Sequence, residues 1–599
     1  MCNWNSWKVI PLFIDDFYLI KKQSKLNLKF SNHYILFIFT LFLLLTFKGI
    51  KMSKTYFLNE LADSVSSLNT FSINQLADSI GGKIYGSNDY KPSNGFTGIF
   101  ETLNEAQEGD IVIRHWINGK GVEIANDKNV ACLITLTPKE DALEMAEKLS
   151  FPVIVVDRIE FANAFAIKWT IDNLVPDCKR VVISGTNGKS TSSHLIYHIL
   201  SHAGYNVFTN TDAKSEFNTL IDPMVAKLIS EEVLANQGVD PRLFNFICDI
   251  PNKEVFDYLV IEVSEVQGWG TDLMKNHALI MSSAINPDVG VVTNVTMDHV
   301  GLVNSIEEVF EETSGVVKAT GKGGIVLNFD DENVLAMKEF VNEGVDTYFT
   351  SMDKLAIEEY EVENNKKVYF DSDKKVILYD GEAILTFEEL PFTGDHFIRN
   401  ILSAISACIS LEIPIDDIVD GVKTYRPLSR RFTRLYDEPI VIDDFAHNPD
   451  GIKNTVRATY DLAEQLDKGD LYIACAIRGS RGETLNGLNS EALAEVIKEL
   501  RHRNDDLIEK DSGAKKREIY LSLSSSEDLV DHLNYVEDFE KDIFFANLDK
   551  ERIKYNHFEK LYDALGYIME TAGKDDVVLL IGAQGMDPAS DVLKDILGH

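Results

Sequence analysis

Short apolar runs alternate with longer helical stretches along most of the chain after about residue 73. Four of these runs, at 181–184, 258–263, 289–294 and 324–328, consist largely of β-branched and aliphatic residues. Such runs are typical of buried strands in a parallel sheet. Strands that alternate with helices build βαβ units, which pack helices on both faces of one sheet. The pattern therefore predicts an α/β fold with a doubly wound parallel sheet at its centre.

Segments with weak apolar periodicity divide the chain into parts. Linker-like stretches at 175–180 and 425–431 separate three regions that each contain strands and helices. A charged, helix-poor stretch at 503–518 predicts an exposed loop in the last region. With 599 residues and roughly 100–200 residues per domain, three or four domains are expected. The predicted parts are an N-terminal extension at 1–51 and domains at 52–178, 179–426 and 427–599.

Charge and cysteine usage narrow the function classes. The chain carries 58 Lys and Arg against 95 Asp and Glu, a formal net charge of −37. A surface this acidic repels nucleic-acid phosphates, so binding to DNA or RNA is not expected. The cysteines form no C-x-x-C pair, which indicates reduced thiols in a cytoplasm-like compartment rather than a zinc ribbon or a disulfide scaffold. They are Cys2, Cys132, Cys178, Cys248, Cys408 and Cys475.

The N-terminal extension contains one strongly apolar run, Tyr34–Phe47. This run is shorter than the roughly 20 apolar residues that a membrane-spanning helix needs, and lysines lie on both sides of it, so no orientation follows. Two interpretations stay open: the run is a membrane anchor, or translation starts at Met52, which opens a segment typical of a folded domain. Membrane contact is expected only if residues 1–51 are translated.

A glycine-rich turn joins the strand at 181–184 to the next helix. Backbone N–H groups of such a turn, with the positive end of the following helix, surround phosphate oxygens. Lys189 would neutralise the β- and γ-phosphates, and Ser190 would place its hydroxyl on Mg²⁺. Ile183 stands where the longer form of this motif has glycine, so the turn has the shorter G-x-x-G-K-S form. The residues predicted to bind ATP here are Gly185, Thr186, Asn187, Gly188, Lys189, Ser190 and Thr191.

Two further strands place candidate Mg²⁺ ligands near this turn. Glu262 lies near the carboxyl end of one strand, where a buried carboxylate is costly unless it is paired or bound to a metal. Asn294, Asp298 and His299 follow the next strand. A histidine beside a phosphate-binding turn and Glu262 favours metal ligation. The predicted metal ligands are Ser190, Glu262 and His299.

Five motifs follow one another in the order GTNGKS, IEVSE, TNVTMDH, GDHFIRN and DDFAHNP. Their order and spacing resemble the Mur ligase family of ATP-dependent amide-bond-forming enzymes, from about Ile73 to the C-terminus. The resemblance implies an N-terminal domain that binds the UDP end of the substrate, a central P-loop domain, and a Rossmann-like C-terminal ligase domain. The segment at 109–135 resembles the first domain of the later-acting murein ligases, which favours a cell-wall peptide ligase over folylpolyglutamate synthases and cyanophycin synthetases.

The resemblance also implies a mechanism. ATP would phosphorylate a substrate carboxylate, an incoming amine would attack the acyl phosphate, and phosphate would leave. Lys189, Glu262 and His299 would carry catalysis, with Ser190 and Glu262 on a first Mg²⁺ and His299 on a second. Arg430 is as plausible as Arg431 for the contact from the third domain. The residues implied around the nucleotide are Asn294, His396, Asn400, Arg431 and Asp444.

The chain departs from the family pattern at several points. Many members carry a carbamylated lysine between two metals; here the position falls near Thr313 and Ser314, and Lys318 is an imperfect substitute. Phe397 replaces an asparagine of the family's GxHNxxN motif. The DNPR motif of diaminopimelate-adding members is absent from the sequence, so the added amino acid is not specified. These departures and the acidity favour the related ligases that build pseudomurein in methanogens.

Three hypotheses follow. The leading one is a cytoplasmic ligase, dependent on ATP and Mg²⁺, that adds an amino acid to a UDP-linked peptide of the murein or pseudomurein type. The second is a ligase with the same centre that acts on another acid, of the polyglutamate or poly-amino-acid type. The third is an inactive, membrane-tethered regulator that binds nucleotide. The missing lysine and the apolar run at 34–47 motivate this third hypothesis, whereas Lys189, Glu262 and His299 count against it.

Overall fold

In the computed structural model, the described residues form three large β-sheets with helices packed against them and one separate two-stranded sheet. The structure describes residues 72–88, 100–101, 103–211, 222–236, 255–269, 272–297, 302–360, 365–391, 394–510, 515–532 and 534–598. The apolar run at 34–47 and the predicted ligand His299 lie outside these residues. Within the described part of the chain, no helix has the length and apolarity needed to cross a membrane.

The first sheet has five strands. They are β1 (Lys83–Tyr85), β2 (Phe100–Glu101), β3 (Ile111–Ile117), β4 (Cys132–Pro138) and β5 (Val153–Val155), with helices α1 (Ile73–Ile80), α2 (Gly119–Asp127), α3 (Ala142–Leu149) and α4 (Ile159–Leu174). The strand order is β1-β5-β4-β3-β2, and β1 runs antiparallel to its neighbour. Helix α1 starts at a capping box between Ser72 and Gln75.

The central sheet has nine strands. In chain order the elements are β6 (Lys179–Ser184), α5 (Lys189–His202), β7 (Val207–Thr209), α6 (Asp222–Asn236), β8 (Tyr258–Glu262), β9 (Gly268–Trp269), β10 (Asp272–Leu273), α7 (His277–Ile285), β11 (Val289–Val292), α8 (Ile306–Thr313), α9 (Gly315–Ala319), β12 (Gly324–Asn328), α10 (Glu332–Ala336), β13 (Asp346–Ser351), α11 (Lys354–Glu359), β14 (Asn365–Asp371), β15 (Val376–Tyr379), β16 (Glu382–Thr386), α12 (Asp395–Ser410) and α13 (Ile415–Thr424). The strand order is β16-β15-β14-β13-β12-β11-β6-β8-β7, and β9 and β10 form a separate hairpin.

The predicted parallel sheet is confirmed from β7 to β14. Strands β15 and β16 extend it antiparallel, which the pattern of apolar runs does not predict. Strand β6 lies between β11 and β8, near the edge of the sheet that β7 forms. Because parallel strands end at the same edge of a sheet, the residues that follow these three strands meet there.

The third sheet has six strands. They are β17 (Thr433–Asp437), β18 (Ile440–Asp444), β19 (Leu471–Ala476), β20 (Ile519–Ser524), β21 (Asn556–Phe558) and β22 (Val577–Ile581), with helices α14 (Pro449–Gln465), α15 (Gly482–Lys510), α16 (Asp538–Lys550), α17 (Leu561–Thr571) and α18 (Ala589–Leu597). The order is β17-β18-β22-β19-β20-β21, parallel except for β17.

The predicted loop at 503–518 is wrong in its first half. Helix α15 continues to Lys510, and Arg503 pairs with Asp461 and Glu464 on α14. Asn504, only 3% exposed, donates from Nδ2 to the carbonyl of Arg517. The charged residues are therefore one face of a packed helix, because their partners come from a distant part of the chain.

Helix packing brings the sheets together around the site. Helix α4 of the first sheet packs against α6 and α7 of the central sheet. Helix α5 packs against α12 and α13 on the other side of the central sheet, and α12 also contacts α14. Residues that follow the strands of the third sheet lie next to the turn after β6, where Asn448 Nδ2 donates to Asn187 Oδ1.

Candidate active site

Two glycines shape the turn between β6 and α5. Gly185 has a φ of 127° and Gly188 a φ of 83°, in the region where other residues are strained. A Cβ atom on Gly188 would lie 2.2 Å from Asn400 Oδ1, and one on Gly185 would lie 2.2 Å from Thr293 Oγ1. The turn is therefore closely packed, and α5 begins directly after it. The N–H groups at this helix start form an anion-binding position.

The ammonium of Lys189 is folded back over the turn. Nζ donates to the carbonyl of Gly185 at 2.7 Å and to that of Thr186 at 3.1 Å. It also forms an ion pair with Glu265 Oε2 at 2.7 Å. The ammonium of Lys189 thus lies against the turn, and its contact with nucleotide phosphates stays a prediction.

Ser190 and Glu262 meet at the start of α5. Ser190 Oγ donates to Glu262 Oε1 and Thr211 Oγ1 donates to Glu262 Oε2, each at 3.3 Å. Asn210 fixes the backbone of Glu262 through two hydrogen bonds, at 2.8 and 2.9 Å. All four side chains are buried. Hydroxyl and carboxylate oxygens are the ligands that Mg²⁺ prefers, so this group fits the cation.

Asn294 forms two hydrogen bonds with Asn187 in the turn between β6 and α5. Its Oδ1 accepts from the N–H of Asn187 at 2.9 Å, and its Nδ2 donates to the Asn187 carbonyl at 2.8 Å. Thr293 Oγ1 donates to the same carbonyl at 2.6 Å. From the third sheet, Asn448 Nδ2 donates to Asn187 Oδ1 at 2.8 Å. Asn187 is therefore held from both sides, and the third sheet contacts the turn directly.

A cavity of about 540 Å³ opens beside the turn. Burial, and next the charge of Arg399, lowers the pKa of His396 to about 3, so this imidazole is neutral at pH 7. A neutral ring next to the amide of Asn400 suits contact with a purine base. Gly185 and Thr186 in the turn, and Lys189 and Ser190 at the start of α5, do not line the cavity. Of the predicted nucleotide residues, the cavity is lined by Asn187, Gly188, Thr191, Asn294, His396, Asn400, Arg431 and Asp444.

The third sheet contributes a buried carboxylate, Asp444, and a half-buried arginine, Arg431, to the cavity. Asp444, at the end of β18, accepts two backbone hydrogen bonds at 2.8 Å. Burial raises the pKa of Asp444, although the charge of Arg431 opposes this. Burial also lowers the pKa of Arg431, opposed by the charges of Asp444 and Glu262. The buried Nε of Arg431 has no hydrogen-bond partner among the described residues. It is a donor suited to an anionic ligand.

The structure separates the two arginines that the sequence leaves as alternatives. Arg430 Nε lies 3.2 Å from Asp443 Oδ1, one terminal nitrogen pairs with Asp587, and the other donates to the Gly582 carbonyl at 2.5 Å. All of these partners belong to the third sheet or its loops. Arg430 therefore stabilises that part of the fold, whereas Arg431 lines the cavity.

Matched substitutions at these two positions are expected to affect different properties: catalysis for Arg431 and stability for Arg430. Arg431→Met should lower kcat/KM for ATP by about a hundredfold, because it removes from the cavity a charged donor that is suited to phosphate oxygens, with little change in melting temperature. Arg430→Met should cost about 3–5 kcal/mol of stability, because it leaves the buried carboxylate of Asp443 without its cation and also removes the partner of the half-buried Asp587. Steady-state kinetics and thermal unfolding of both variants test this. A stability loss confined to Arg431→Met would contradict the assignment.

Lys318 does not contact the turn between β6 and α5. Its Nζ pairs with Glu311 at 2.8 Å and lies 4.5 Å from the ring centre of Phe340. The hydroxyls of Thr313 and Ser314 bond to carbonyls of α8. None of these residues lines the cavity. The structure therefore gives no support to Lys318 as a replacement for the missing lysine.

A buried histidine holds the backbone next to Glu265. His277 Nε2 lies 2.9 Å from Asp222 Oδ2, and Nδ1 lies 3.3 Å from the carbonyl oxygen of Ser264. Both partners are acceptors, so both ring nitrogens can donate only when the imidazole is protonated. Burial alone lowers the pKa of His277, but the charge and hydrogen bond of Asp222 outweigh it, and the pKa is raised.

This pair predicts a pH-dependent stability. A pKa raised on folding means that the pairing stabilises the fold below about pH 6.5 and that this contribution is lost as pH rises through the raised pKa. The melting temperature of His277→Gln should therefore lie further below wild type at pH 6 than at pH 9. His502→Gln, at an exposed position, is the control and should show no such trend. An equal difference at both pH values would contradict a charged His277.

Several residues of the site escape sequence reasoning. For Glu265, the sequence offers one indication: it is a second carboxylate, three residues after Glu262 in the same motif. For Thr211 and His277, the sequence offers no such indication, because their contacts depend on how β7 and α7 pack. His299 stays a prediction, since it lies outside the described residues.

Comparison with known proteins places this arrangement in a family. The Mur ligase middle domain matches residues 183–408, and the Mur ligase, glutamate ligase domain matches residues 430–584. The UDP-N-acetylmuramate–L-alanine ligase of Caldicellulosiruptor saccharolyticus is 25% identical over 488 residues, which cover 80% of this chain and 89% of that protein.

Two crystal structures have a similar fold. MurF from Acinetobacter baumannii matches with a TM-score of 0.57 and 13% identity, over 89% of this chain and 100% of that one. MurF ligase from Thermotoga maritima, in complex with ADP, matches with a TM-score of 0.52 and 12% identity, over 84% of this chain and 98% of that one. At these identities the structures show a shared fold.

Proposed function

Because this chain belongs to the Mur ligase family, we propose that it is an ATP-dependent ligase that joins the amine of an amino acid to a carboxylate of a UDP-linked peptide. One observation carries the proposal. The turn with Lys189 and the Ser190–Glu262 pair lies next to a cavity that Arg431 and Asp444 complete from the third sheet. Such a site, built from two separate sheets, can bind a nucleotide at the point where a second substrate must also arrive.

The chain's own residues account for nucleotide binding. The N–H groups of the turn and Lys189 would hold the β- and γ-phosphates, and His396 and Asn400 would face the base. Arg431 would approach the phosphates from the third sheet. Ser190 and Glu262 would hold Mg²⁺, which neutralises phosphate charge when bound. His299 is proposed as a further ligand from the family resemblance.

The reaction proceeds in two steps. In the first step, a carboxylate oxygen of the acceptor attacks the γ-phosphorus, and the bond from this phosphorus to the β,γ-bridging oxygen breaks. The products are ADP and the acyl phosphate of the acceptor. The amine nitrogen then attacks the carbonyl carbon and loses a proton, and the C–O bond to phosphate breaks. Phosphate therefore leaves with one oxygen of the original carboxylate. The protein acts mainly by positioning the substrates and neutralising charge, which is the usual basis of phosphoryl-transfer catalysis.

The identity of the substrates rests on the family. The named relative is a ligase for UDP-N-acetylmuramate and L-alanine. We propose a precursor of the murein or pseudomurein type for this chain, bound at its UDP end by the region of the first sheet. Reaction in the cytoplasm is part of the proposal, because ATP is available there.

Transfer of ¹⁸O from the acceptor tests the acyl-phosphate route. With both acceptor carboxylate oxygens labelled, each phosphate released should carry one ¹⁸O atom, measured by mass spectrometry. The label reaches phosphate only if the carboxylate has been phosphorylated. Amide product accompanied by unlabelled phosphate would contradict this mechanism. Matched turnover with unlabelled acceptor gives the background.

A further inference from the structure

Three of the chain's 13 histidines follow one another along helix α5 at four-residue spacing. They are His194, His198 and His202, and this spacing places them on one face of the helix, each about one turn after the last. The rings of His198 and His202 are stacked, with their centroids 6.2 Å apart and their planes inclined by 24°. These two lie at the end of α5 away from the phosphate-binding turn, and neither lines the nucleotide cavity.

One ring nitrogen of each stacked histidine lies next to the same oxygen atom. His198 Nε2 is 3.1 Å, and His202 Nδ1 is 3.5 Å, from Oγ1 of Thr424, the last residue of α13. The Thr424 hydroxyl also donates to the carbonyl of Asp420 at 3.0 Å, within its own helix. The two nitrogens are therefore close to one shared position at the junction of α5 and α13.

The histidines of this face differ in what already engages them. His194 Nδ1 lies 3.2 Å from the hydroxyl of Tyr425, and burial, followed by the charge of His198, lowers the pKa of His194 to about 4. Burial, and next the charge of His202, also lowers the pKa of His198, so this ring is neutral at pH 7. His202 is exposed. The pair of His198 and His202 therefore combines a neutral imidazole with access from solvent.

Neutral imidazole nitrogens select particular cations. A ring nitrogen without a proton offers its lone pair, and Zn²⁺, Ni²⁺ and Cu²⁺ prefer such nitrogen ligands, whereas Mg²⁺ prefers oxygen. Two histidines four residues apart on one helix face can bind one Zn²⁺ ion together. Among the described residues, no group of three or more His, Cys, Asp or Glu is placed to hold a metal ion. Water must therefore supply the other ligands here.

We propose that His198 and His202 form a binding site for one divalent transition-metal ion of the Zn²⁺, Ni²⁺ and Cu²⁺ class. The ion binds between the two ring nitrogens and replaces their contacts with the Thr424 hydroxyl, and water completes its coordination. The site is separate from the magnesium position proposed at Ser190 and Glu262. It needs no nucleotide, and it does not depend on the ligase function.

Titration with Zn²⁺ tests this site on the full-length chain, purified without a histidine tag and free of nucleotide. Excess Mg²⁺ occupies positions lined by oxygen, and calorimetry measures Zn²⁺ affinity. His198→Gln and His202→Gln should each weaken binding by at least about tenfold, because loss of a group that only supports a metal ligand already costs that much. His502→Gln, which removes an exposed histidine of α15, is the matched control and should bind like the wild type. Equal affinity in the wild type and in both α5 variants would overturn the site.

A measurement on the wild-type chain alone does not depend on how the variants fold. With one equivalent of Cu²⁺, pulsed electron paramagnetic resonance should detect two imidazole ligands on one ion. A spectrum with a single imidazole, or with oxygen ligands alone, would overturn the site. Neither measurement uses nucleotide or acceptor, so failure of this proposal leaves the ligase function untouched, and a chain without ligase activity would still be expected to bind the metal.

Discussion

Lys189→Met is expected to lower acceptor-dependent ADP release by about a thousandfold, because it removes the positive charge that would balance the transferring phosphate. Methionine keeps the length and flexibility of the side chain, so the turn should keep its shape. The variant also leaves Glu265 buried without its ammonium, which should cost about 3–5 kcal/mol of stability. Activity and melting temperature should therefore both fall.

A double variant separates these two effects. In Lys189→Met/Glu265→Gln the charge of Glu265 is also removed, so the melting temperature should return toward the wild-type value. The rate should stay low, because the phosphate still has no ammonium partner. Recovery of ADP release together with stability would show that Lys189 acts only through the fold, and this would remove the turn from the mechanism.

Glu262→Gln should have the second-largest effect. Glutamine is nearly isosteric and keeps an oxygen beside Ser190, but it removes a negative charge from a group that is 6% exposed. The Mg²⁺ concentration for half-maximal rate should rise by about tenfold or more, because a neutral amide oxygen is a weaker ligand. The maximal rate should fall by about a hundredfold.

A titration with Mg²⁺ at saturating ATP measures both quantities. Glu495→Gln is a suitable control, because Glu495 is exposed, pairs with Lys453 and does not line the cavity. Its Mg²⁺ dependence should match the wild type. A Glu262→Gln variant with an unchanged Mg²⁺ requirement would contradict the assignment of Glu262 as a ligand.

Local sequence patterns anticipate much of the central fold and of the site. The strands at 258–262 and 324–328 follow from apolar runs, because a buried strand leaves its own local signature. Lys189, Ser190 and Glu262 follow from motifs at strand ends, since the edge of a parallel sheet brings such residues together.

Contacts between distant segments explain what the sequence does not predict. The sequence near Arg503 predicts a loop because it is rich in charged residues. In the structure these residues belong to helix α15, and Arg503 pairs with Asp461 on α14. Arg430 and Arg431 are chemically identical neighbours, and only the positions of Asp443 and Asp587 show which one is structural. The ion pair between Glu265 and Lys189, a residue 76 positions earlier, is visible only in the structure.

Release of ADP and phosphate by the full-length chain tests the central claim most directly. ATP and Mg²⁺ would be supplied with a panel of UDP-linked peptides and amino acids, and the amide product would be identified by mass spectrometry. The proposed function predicts release only when one UDP-linked acceptor and one amine are present together, with one amide formed per ADP. Release supported equally by acids without a UDP group, or nucleotide binding with no release for any pair, would contradict it.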